Sequence, residues 1–313
     1  MLQTLTMDGR EAGTWRFSEL STKGRHLLGG HVVVSSFDGF HRGHQALMHH
    51  AKQVSAADGS PVVALLFDAA SDDARTPLAQ GEEVARRLRL QGGANVVALG
   101  FASNASWLEC QALCELLREF APKSITVGAN FRFGPKSSIG SQVLASMARS
   151  FAISTTVMET VACEECGPIT AANIRQHLAA GDIQAANRLL GRNWTIEGPV
   201  VHGYKRGREL GFPTANVQPL HRLDLAHAIY AVRVYAGERV LDGVACYGTR
   251  PQFDDGAPAL EVHILDFAGD LYGQRLRVEF VAHQRPELKF SCVDDLVRQM
   301  EIDRAEAREL LAA

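Results

Sequence analysis

Thr214 and Asn216 stand two apart in Gly211-Phe212-Pro213-Thr214-Ala215-Asn216. On an extended backbone that spacing turns a hydroxyl and a carboxamide toward the same side. Two neutral oxygen donors on one face suit a hard cation such as Mg²⁺ carrying a nucleotide phosphate, since that ion takes few protein ligands and keeps several waters. The preceding run, His202-Gly203-Tyr204-Lys205-Arg206-Gly207-Arg208, supplies Gly203 and Gly207, where backbone amides can approach phosphates. Lys205, Arg206 and Arg208 add positive charge. A proline turn after an exposed basic loop would use the same residues, so other parts of the chain must decide.

A second constellation is Ser35-Ser36-Phe37-Asp38-Gly39-Phe40-His41-Arg42-Gly43-His44, which follows an apolar run and enters a helical pattern. Two histidines three apart at a helix start can both face a phosphate, where free amides and the helix dipole already favour an anion. Phe37, Gly39 and Gly43 belong to the same turn, and Gly43 lets a nucleotide come close to the backbone. Nucleotidyl transfer asks mainly for positioning and charge stabilisation at the α-phosphate. In isolation, His41-Arg42-Gly43-His44 would equally suit a zinc-ligand fragment or a surface loop. Val127-Gly128-Ala129-Asn130-Phe131-Arg132-Phe133-Gly134 offers an amide, a guanidinium and two aromatics for a planar ring and a phosphate, or a loop tucking its aromatics inward. Arg175, near the start of another helical stretch, is placed to reach back to a phosphate.

These groups need a scaffold. In the first half, apolar runs at 31–35, 61–67, 95–101, 124–127 and 153–158 read as strands, with helical spacing over 43–54, 82–90, 107–120 and 142–149. That alternation predicts a parallel sheet covered on both faces, with ligands beyond the carboxyl ends of the strands. Two further helices are expected at 173–179 and 183–190. From Trp194 the rhythm changes to short alternating strands at 195–202, 230–235, 239–247, 259–265 and 275–282, separated by Asp254-Asp255-Gly256 and Gly269-Asp270. Such a pattern predicts a small antiparallel barrel, closed by a helix over 293–310. The expected division is residues 1–189 and 190–313.

Length and composition agree. The chain has 313 residues, room for two cores, and its net charge of −3 argues against a general nucleic-acid or membrane-surface binder. No apolar run approaches the ~20 residues of a spanning helix, and Met1–Arg10 lacks a signal-peptide core, so a cytoplasmic location is expected. Cys163 and Cys166 form a Cys-x-x-Cys pair and Cys110 and Cys114 lie four apart; a four-thiolate zinc site could be drawn from them, but reduced, unliganded thiols are expected.

The chain resembles the prokaryotic bifunctional riboflavin kinase/FMN adenylyltransferase family, also called bifunctional FAD synthetase, over nearly its whole length. The carriers in the second half, in family order, are Gly-Phe-Pro-Thr-Ala-Asn (211–216), Tyr-Gly-Thr-Arg-Pro (247–251), Leu-Glu-Val-His-Ile-Leu-Asp-Phe (260–267), Asp-Leu-Tyr-Gly (270–273) and Arg-Pro-Glu-Leu-Lys-Phe (285–290). The resemblance implies an α/β nucleotidyltransferase domain with a Rossmann-like parallel sheet, then a six-stranded antiparallel β-barrel riboflavin kinase domain with a C-terminal helix. It makes Thr214 and Asn216 the ligands of Mg²⁺–ATP. Glu261 becomes the base for the riboflavin 5′-hydroxyl, and Gly203, Lys205 and Gly207 form a flap over the phosphates. Arg285 falls on the flavin side of the kinase. In the first domain it implies adenylylation of FMN, with Asn130 and Arg132 toward the flavin. His41, His44, Phe37, Gly39, Gly43 and Arg175 are then on the nucleotide side. Riboflavin, FMN and ATP are the implied small-molecule partners; oligomeric state stays open.

Departures cluster in the first half. Ser35-Ser36 replaces the family's Gly-Asn before Phe-Asp-Gly. Phe67-Asp68-Ala69-Ala70-Ser71 stands for Phe-Glu-Pro-His-Pro, and Thr170-Ala171-Ala172-Asn173 for a segment containing Ser-Ser-Thr. In the second half the changes are smaller: Ala228-Ile229-Tyr230 for Gly-Val-Tyr, and Pro251-Gln252 for Pro-Thr. Each lost hydrogen bond to a charged group would cost roughly 1.5–3 kcal/mol. Three readings follow: a bifunctional enzyme, a riboflavin kinase with a non-catalytic first domain, or a first domain that transfers another nucleotide or uses another acceptor.

Overall fold

The structure is a computed structural model. It describes residues 5–7, 28–68, 76–79, 81–90, 95–100, 117–118, 120–133, 139–204, 206–219, 221–249 and 258–312. Two compact units divide at Thr170/Ala171.

The first unit is built on a parallel sheet of β1 (Leu5–Met7), β2 (His31–Ser35), β3 (Val62–Asp68), β4 (Asn95–Gly100), β5 (Ser124–Gly128) and β8 (Ser154–Met158). Their order is β1-β4-β3-β2-β5-β8, every neighbour parallel. Two short hairpins, β6 (Arg132–Phe133) with β7 (Ile139–Gly140) and β9 (Ala162–Cys163) with β10 (Gly167–Pro168), decorate it. Helices α1 (Arg42–Ala56), α2 (Gly81–Leu90) and α3 (Ser141–Ser150) accompany the sheet. Val32, Val34, Val63 and Leu65 pack in one cluster with Leu144 and Ala148 of α3. Val33, Ala64 and Leu66 pack in the other with Leu47 and Met48 of α1 and Val84 and Leu88 of α2. Alternate residues of β2 and β3 thus serve opposite cores, which is why these strands read as unbroken apolar runs. Chain order reverses at β2: β3 and β4 lie to one side, β5 and β8 to the other. The carboxyl ends of β2 and β5 therefore flank a topological switch point, the usual crevice of such sheets.

The second unit contains α4 (Ala171–Ala180), α5 (Ile183–Leu190) and a closed antiparallel barrel. Its strands are β11 (Trp194–Val201), β12 (Thr214–Val217), β13 (Ala228–Ala236), β14 (Arg239–Thr249), β15 (Pro258–Ile264) and β16 (Arg275–Pro286), with a one-turn helix α6 (Arg206–Glu209) before β12. The barrel order is β11-β12-β15-β14-β13-β16, with β16 paired back to β11. Val232, Val234, Val262, Val278 and Phe280 are fully buried in this unit. Helix α7 (Val293–Ala312) packs across β13, β14 and β16, where Ala307 and Leu311 meet Ala231 and Ala282. Buried Asp303 takes two hydrogen bonds from Arg285, at 2.7 and 2.6 Å, and fixes the helix to the end of β16.

The compact units differ from the expected division at 189/190, and Asn187 supplies the physical reason. Its Nδ2 donates to the Phe280 carbonyl at 3.0 Å and to Asn193 Oδ1 at 2.9 Å, while its Oδ1 accepts the Trp194 amide at 2.8 Å. The Ala226 amide likewise donates to the Leu178 carbonyl at 3.0 Å. Both helices belong with the barrel. The alternating pattern also missed one barrel strand, β12, because four residues beginning at Thr214 are too short to show a period. The expected helix over 107–120 lies largely outside the described residues.

A fragment 171–313 should therefore fold alone, whereas 191–313, lacking Asn187 and the buried Ile183, Ala186 and Leu189, should be about 3–5 kcal/mol less stable or unfolded. Urea unfolding of the two fragments compares them directly. Equal midpoints would show that α5 contributes nothing to the barrel.

Candidate active sites

In the barrel, register does the assembling. Asn216 of β12 lies directly across from Glu261 of β15, and Glu261 from Cys246 of β14. Thr214 lies across from His263. Directly opposed residues share a face, as do residues two apart on one strand. Thr214, Asn216, Glu261 and Cys246 thus form one polar patch, while Ala245, Leu260 and Val262 on the alternate face are buried. The Thr214 hydroxyl donates to Glu261 Oε2 at 3.5 Å. His263 Nδ1 lies 2.9 Å from the Pro213 carbonyl, securing the turn that enters β12.

The flap glycines are pressed onto this patch. A Cβ at Gly203 would collide with the Asn216 side chain, and one at Gly207 with the Phe212 carbonyl. The Phe212 amide bonds the Gly207 carbonyl at 2.7 Å, and its ring is buried beneath the loop. Both glycines are therefore required by close approach to the chain itself, at Asn216 and at the Phe212 carbonyl. Lys205 lies outside the described residues.

Sequence reasoning missed Cys246 and Glu287. The Cys246 thiol lies 3.9 Å from Glu287 Oε1, and that carboxylate also rests on Gly248, where a Cβ would collide with it. Burial, then the Glu287 and Glu261 carboxylates, push the Cys246 thiol up to about 12, so it remains a thiol beside Glu261. Only strand register could have found it. Arg285, expected on the flavin side, donates through Nε and Nη2 to Asp303 and through Nη1 to the Pro286 carbonyl at 2.9 Å. It holds α7 on the barrel.

Arg175 belongs to the second unit, on α4, and lines a cavity of about 340 Å³ with Arg222, Asp224, His227, Tyr247 and others. The Tyr247 and Tyr230 hydroxyls donate to the Leu223 and Ala226 carbonyls and pin the loop that roofs this cavity.

In the first unit, His41 is the N-cap of α1: its Nδ1 faces the His44 amide at 3.4 Å. The two imidazoles stack at 3.7 Å between centroids, tilted by 18°. They are only 6% and 7% exposed, so both rings are buried at the start of α1, just beyond the carboxyl end of β2. Burial first, then His41, lowers the His44 pKa well below its ordinary value. His44 Nδ1 is buried with no hydrogen-bond partner. Phe37 and Phe40 adopt left-handed backbone angles (φ 50° and 44°), as does Gly39 (φ 70°), and Asp38 Oδ1 accepts the Leu78 amide at 2.7 Å. Such backbone strain in non-glycine residues persists only where surroundings impose it. The Phe37 ring is wholly buried, packed 5.4 Å from His44, so only its backbone could meet a nucleotide. At Gly43 a Cβ would lie 3.0 Å from the His41 ring and 3.1 Å from the Ile169 carbonyl. At the carboxyl end of β5, Asn130 donates to Thr160 Oγ1 at 2.7 Å and Arg132 to the Phe131 carbonyl at 2.7 Å. Among the described residues no three His, Cys, Asp or Glu side chains gather as a metal site, and no helix is long and apolar enough to cross a membrane.

Known proteins mirror this two-part layout. The family described as FAD synthetase matches residues 25–170, and the family described as Riboflavin kinase matches 190–311. A bifunctional riboflavin kinase/FMN adenylyltransferase of Escherichia coli is 34% identical over 89% of this chain and 91% of its own. One from Haemophilus influenzae is 32% identical over 91% and 95%. A Streptococcus pneumoniae crystal structure titled as a macrolide-efflux protein superposes with a TM-score of 0.78 at 28% identity, covering 97% of this chain and 98% of that one.

The neutral buried imidazole gives a test. His44 binds a proton less readily folded than unfolded, so stability is full above about pH 6.5, the unfolded value, and falls as pH drops toward the lower folded value. Melting temperatures between pH 8 and 5 should show wild type losing more stability on acidification than His44→Gln. Parallel curves would mean His44 is not kept neutral by burial.

Proposed function

Because the chain belongs to the bifunctional riboflavin kinase/FMN adenylyltransferase family, we propose that its barrel phosphorylates riboflavin with ATP to give FMN, and that its parallel-sheet unit adenylylates FMN to FAD. The observation that carries the first assignment is the Thr214–Asn216–Glu261 patch, set by register and covered by glycines that can only lie close to it.

The donor set on that patch fits Mg²⁺: a hydroxyl, a carboxamide and a nearby carboxylate are hard oxygen donors, with the Gly203 backbone cradled on the amide. Thr214 and Asn216 would hold the ion, which when bound neutralises charge on the phosphates. A primary alcohol is a poor nucleophile. Glu261 accepts the 5′-hydroxyl proton of riboflavin as its oxygen forms a bond to the γ-phosphorus and ADP leaves. The neighbouring Cys246 thiol bears no charge to compete for that proton. Flap amides around Gly203 and Gly207 donate to phosphate oxygens and exclude water.

In the first unit, the amides at the start of α1 and the stacked His41 and His44 face the anion position at a helix N-terminus. A neutral His44 presents N–H to a phosphate oxygen without neutralising it in the ground state, so its contribution grows as charge develops. Asn130, just after β5, and Arg132, on β6, are the residues proposed for the flavin. The protein acts in the aqueous cytoplasm on small-molecule substrates.

Glu261→Gln should retain riboflavin and ATP binding and lower FMN formation about 10²–10⁴-fold. Asn216→Ala should instead weaken Mg²⁺-dependent ATP binding. Calorimetry and single-turnover phosphorylation separate these effects, and wild-type turnover in Glu261→Gln would remove it as the base. FAD formation by the full chain should be slower than FMN formation, since Ala69-Ala70 and Ala171-Ala172 replace the family's polar and proline-rich segments. Chromatography of products from riboflavin, Mg²⁺ and ATP decides this; equal rates, abolished by His44→Ala, would show that the replacements are compensated.

A further inference from the structure

The β9–β10 hairpin carries chemistry that neither transfer reaction uses. Cys163 ends β9 directly across from Gly167, and Glu164, Glu165 and Cys166 make the turn between them. Gly167 takes φ 77°, a left-handed angle that closes the turn tightly enough to fold Cys166 back over Cys163. The Cys166 and Glu165 amides donate to the Cys163 sulfur, and the Cys166 thiol reaches it as well. Cys163 is partly exposed while Cys166 is buried. One sulfur can therefore be attacked or can attack from solvent, with the second waiting behind it. That is the layout of an attacking and a resolving thiol.

The hairpin also bears on the histidine site. The Ile169 amide bonds the Val161 carbonyl at 2.8 Å across its base, and the Ile169 carbonyl lies against Gly43, beside His41. Arg42, at the first position of α1, places positive charge near Cys163. Hydrogen bonding from the Cys166 amide, helped by Glu165, the Cys166 thiol and Arg42 against a smaller desolvation penalty, holds the Cys163 thiol below its ordinary value. Cys246, by contrast, is held protonated at about 12. Among the described residues no third metal ligand joins the pair, so a tetrahedral soft-metal site is not completed there.

We infer that Cys163 and Cys166 form a reversible dithiol/disulfide site, oxidised by low-molecular-weight disulfides such as oxidised glutathione, whose state is felt by the His41–Gly43 turn. The Cys163 thiolate attacks one sulfur of glutathione disulfide, forming a mixed disulfide and expelling one glutathione thiolate. Cys166 then gives up its proton and attacks the Cys163 sulfur, forming the intramolecular bond and expelling the second glutathione. The protein dithiol loses two electrons and two protons, and one disulfide becomes two thiols. Closing the bond draws the sulfurs to about 2.0 Å, well inside a thiol–thiol contact. The β10 end of the hairpin must follow, and with it the Ile169 carbonyl packed on Gly43.

The test uses the full-length protein incubated with oxidised glutathione. Thiol titration in denaturant should fall from six to four, and peptide mapping should place the lost pair at Cys163 and Cys166. Cys166→Ser should stop at a stable glutathione adduct on Cys163, and Cys163→Ser should keep Cys166 unmodified. Hydrogen exchange over residues 40–46 should change severalfold between the reduced and oxidised wild type, with reversal by dithiothreitol. Retention of all six thiols, a disulfide elsewhere, or stoichiometric zinc that blocks oxidation would overturn the site. A 163–166 disulfide with unchanged exchange at 40–46 would overturn its coupling to the histidine turn. None of these readouts depends on flavin turnover, so the result stands apart from the assigned reactions.

Discussion

Strand β12 is four residues long, and it is held by only two pairings to β11 and four to β15. Its register nevertheless decides the chemistry of the second unit. Side chains alternate across a strand, so a slip of one residue would turn Thr214 and Asn216 into the barrel and bring Ala215 and Val217 out. Burying a hydroxyl and an amide there, without partners, would cost several kcal/mol. Val217, 2% exposed, and Phe212 just before the strand, 3% exposed, anchor the correct setting from both ends. The Thr214–Asn216 pair is thus positioned by the apolar residues around it. The glycines of the flap then seat on what that register exposes.

The first unit solves a related problem differently. Here two histidines, His41 and His44, are sunk at the start of α1 behind a strained turn whose two phenylalanines belong to the core. Packing of Phe37 and Phe40 sets the direction of the chain between β2 and α1, and so where His41 and His44 point. A buried imidazole pair cannot readily carry two positive charges, and the low proton affinity of His44 follows from that placement.

Much of this was legible in the chain. Doubly buried strands announce themselves as continuous apolar runs, Pro-Thr-Ala-Asn set a hydroxyl and a carboxamide on one side of an extended backbone, and the family resemblance added Glu261 to them. What escaped reading were relations across space. Cys246 gains meaning only from standing opposite Glu261, and Glu287 only from its contact with Cys246 and Gly248. The resemblance put Arg285 on the flavin side, and nothing in the sequence links it to Asp303, eighteen residues away on α7. The compact units divide at Thr170/Ala171 rather than at 189/190 for the same reason: helical periodicity shows that α5 has a buried face but not which core receives it. Asn187 answers that through bonds to residues as distant as Phe280.

Barrel closure has a consequence in time. Trp194 of β11 pairs with Phe280 of β16, so during synthesis at about 5–20 residues per second the first barrel strand waits roughly 4–17 s for its closing partner. An unpaired apolar strand in that interval is a template for pairing with other nascent chains. β11 carries Gly198 and Pro199 at its middle, opposite the positions that β16 will later fill. The proline lacks an amide to donate, and glycine weakens strand persistence. The strand that must wait longest is thereby a poor nucleus for aggregation, and its full ladder forms only when the rest of the barrel arrives to supply it.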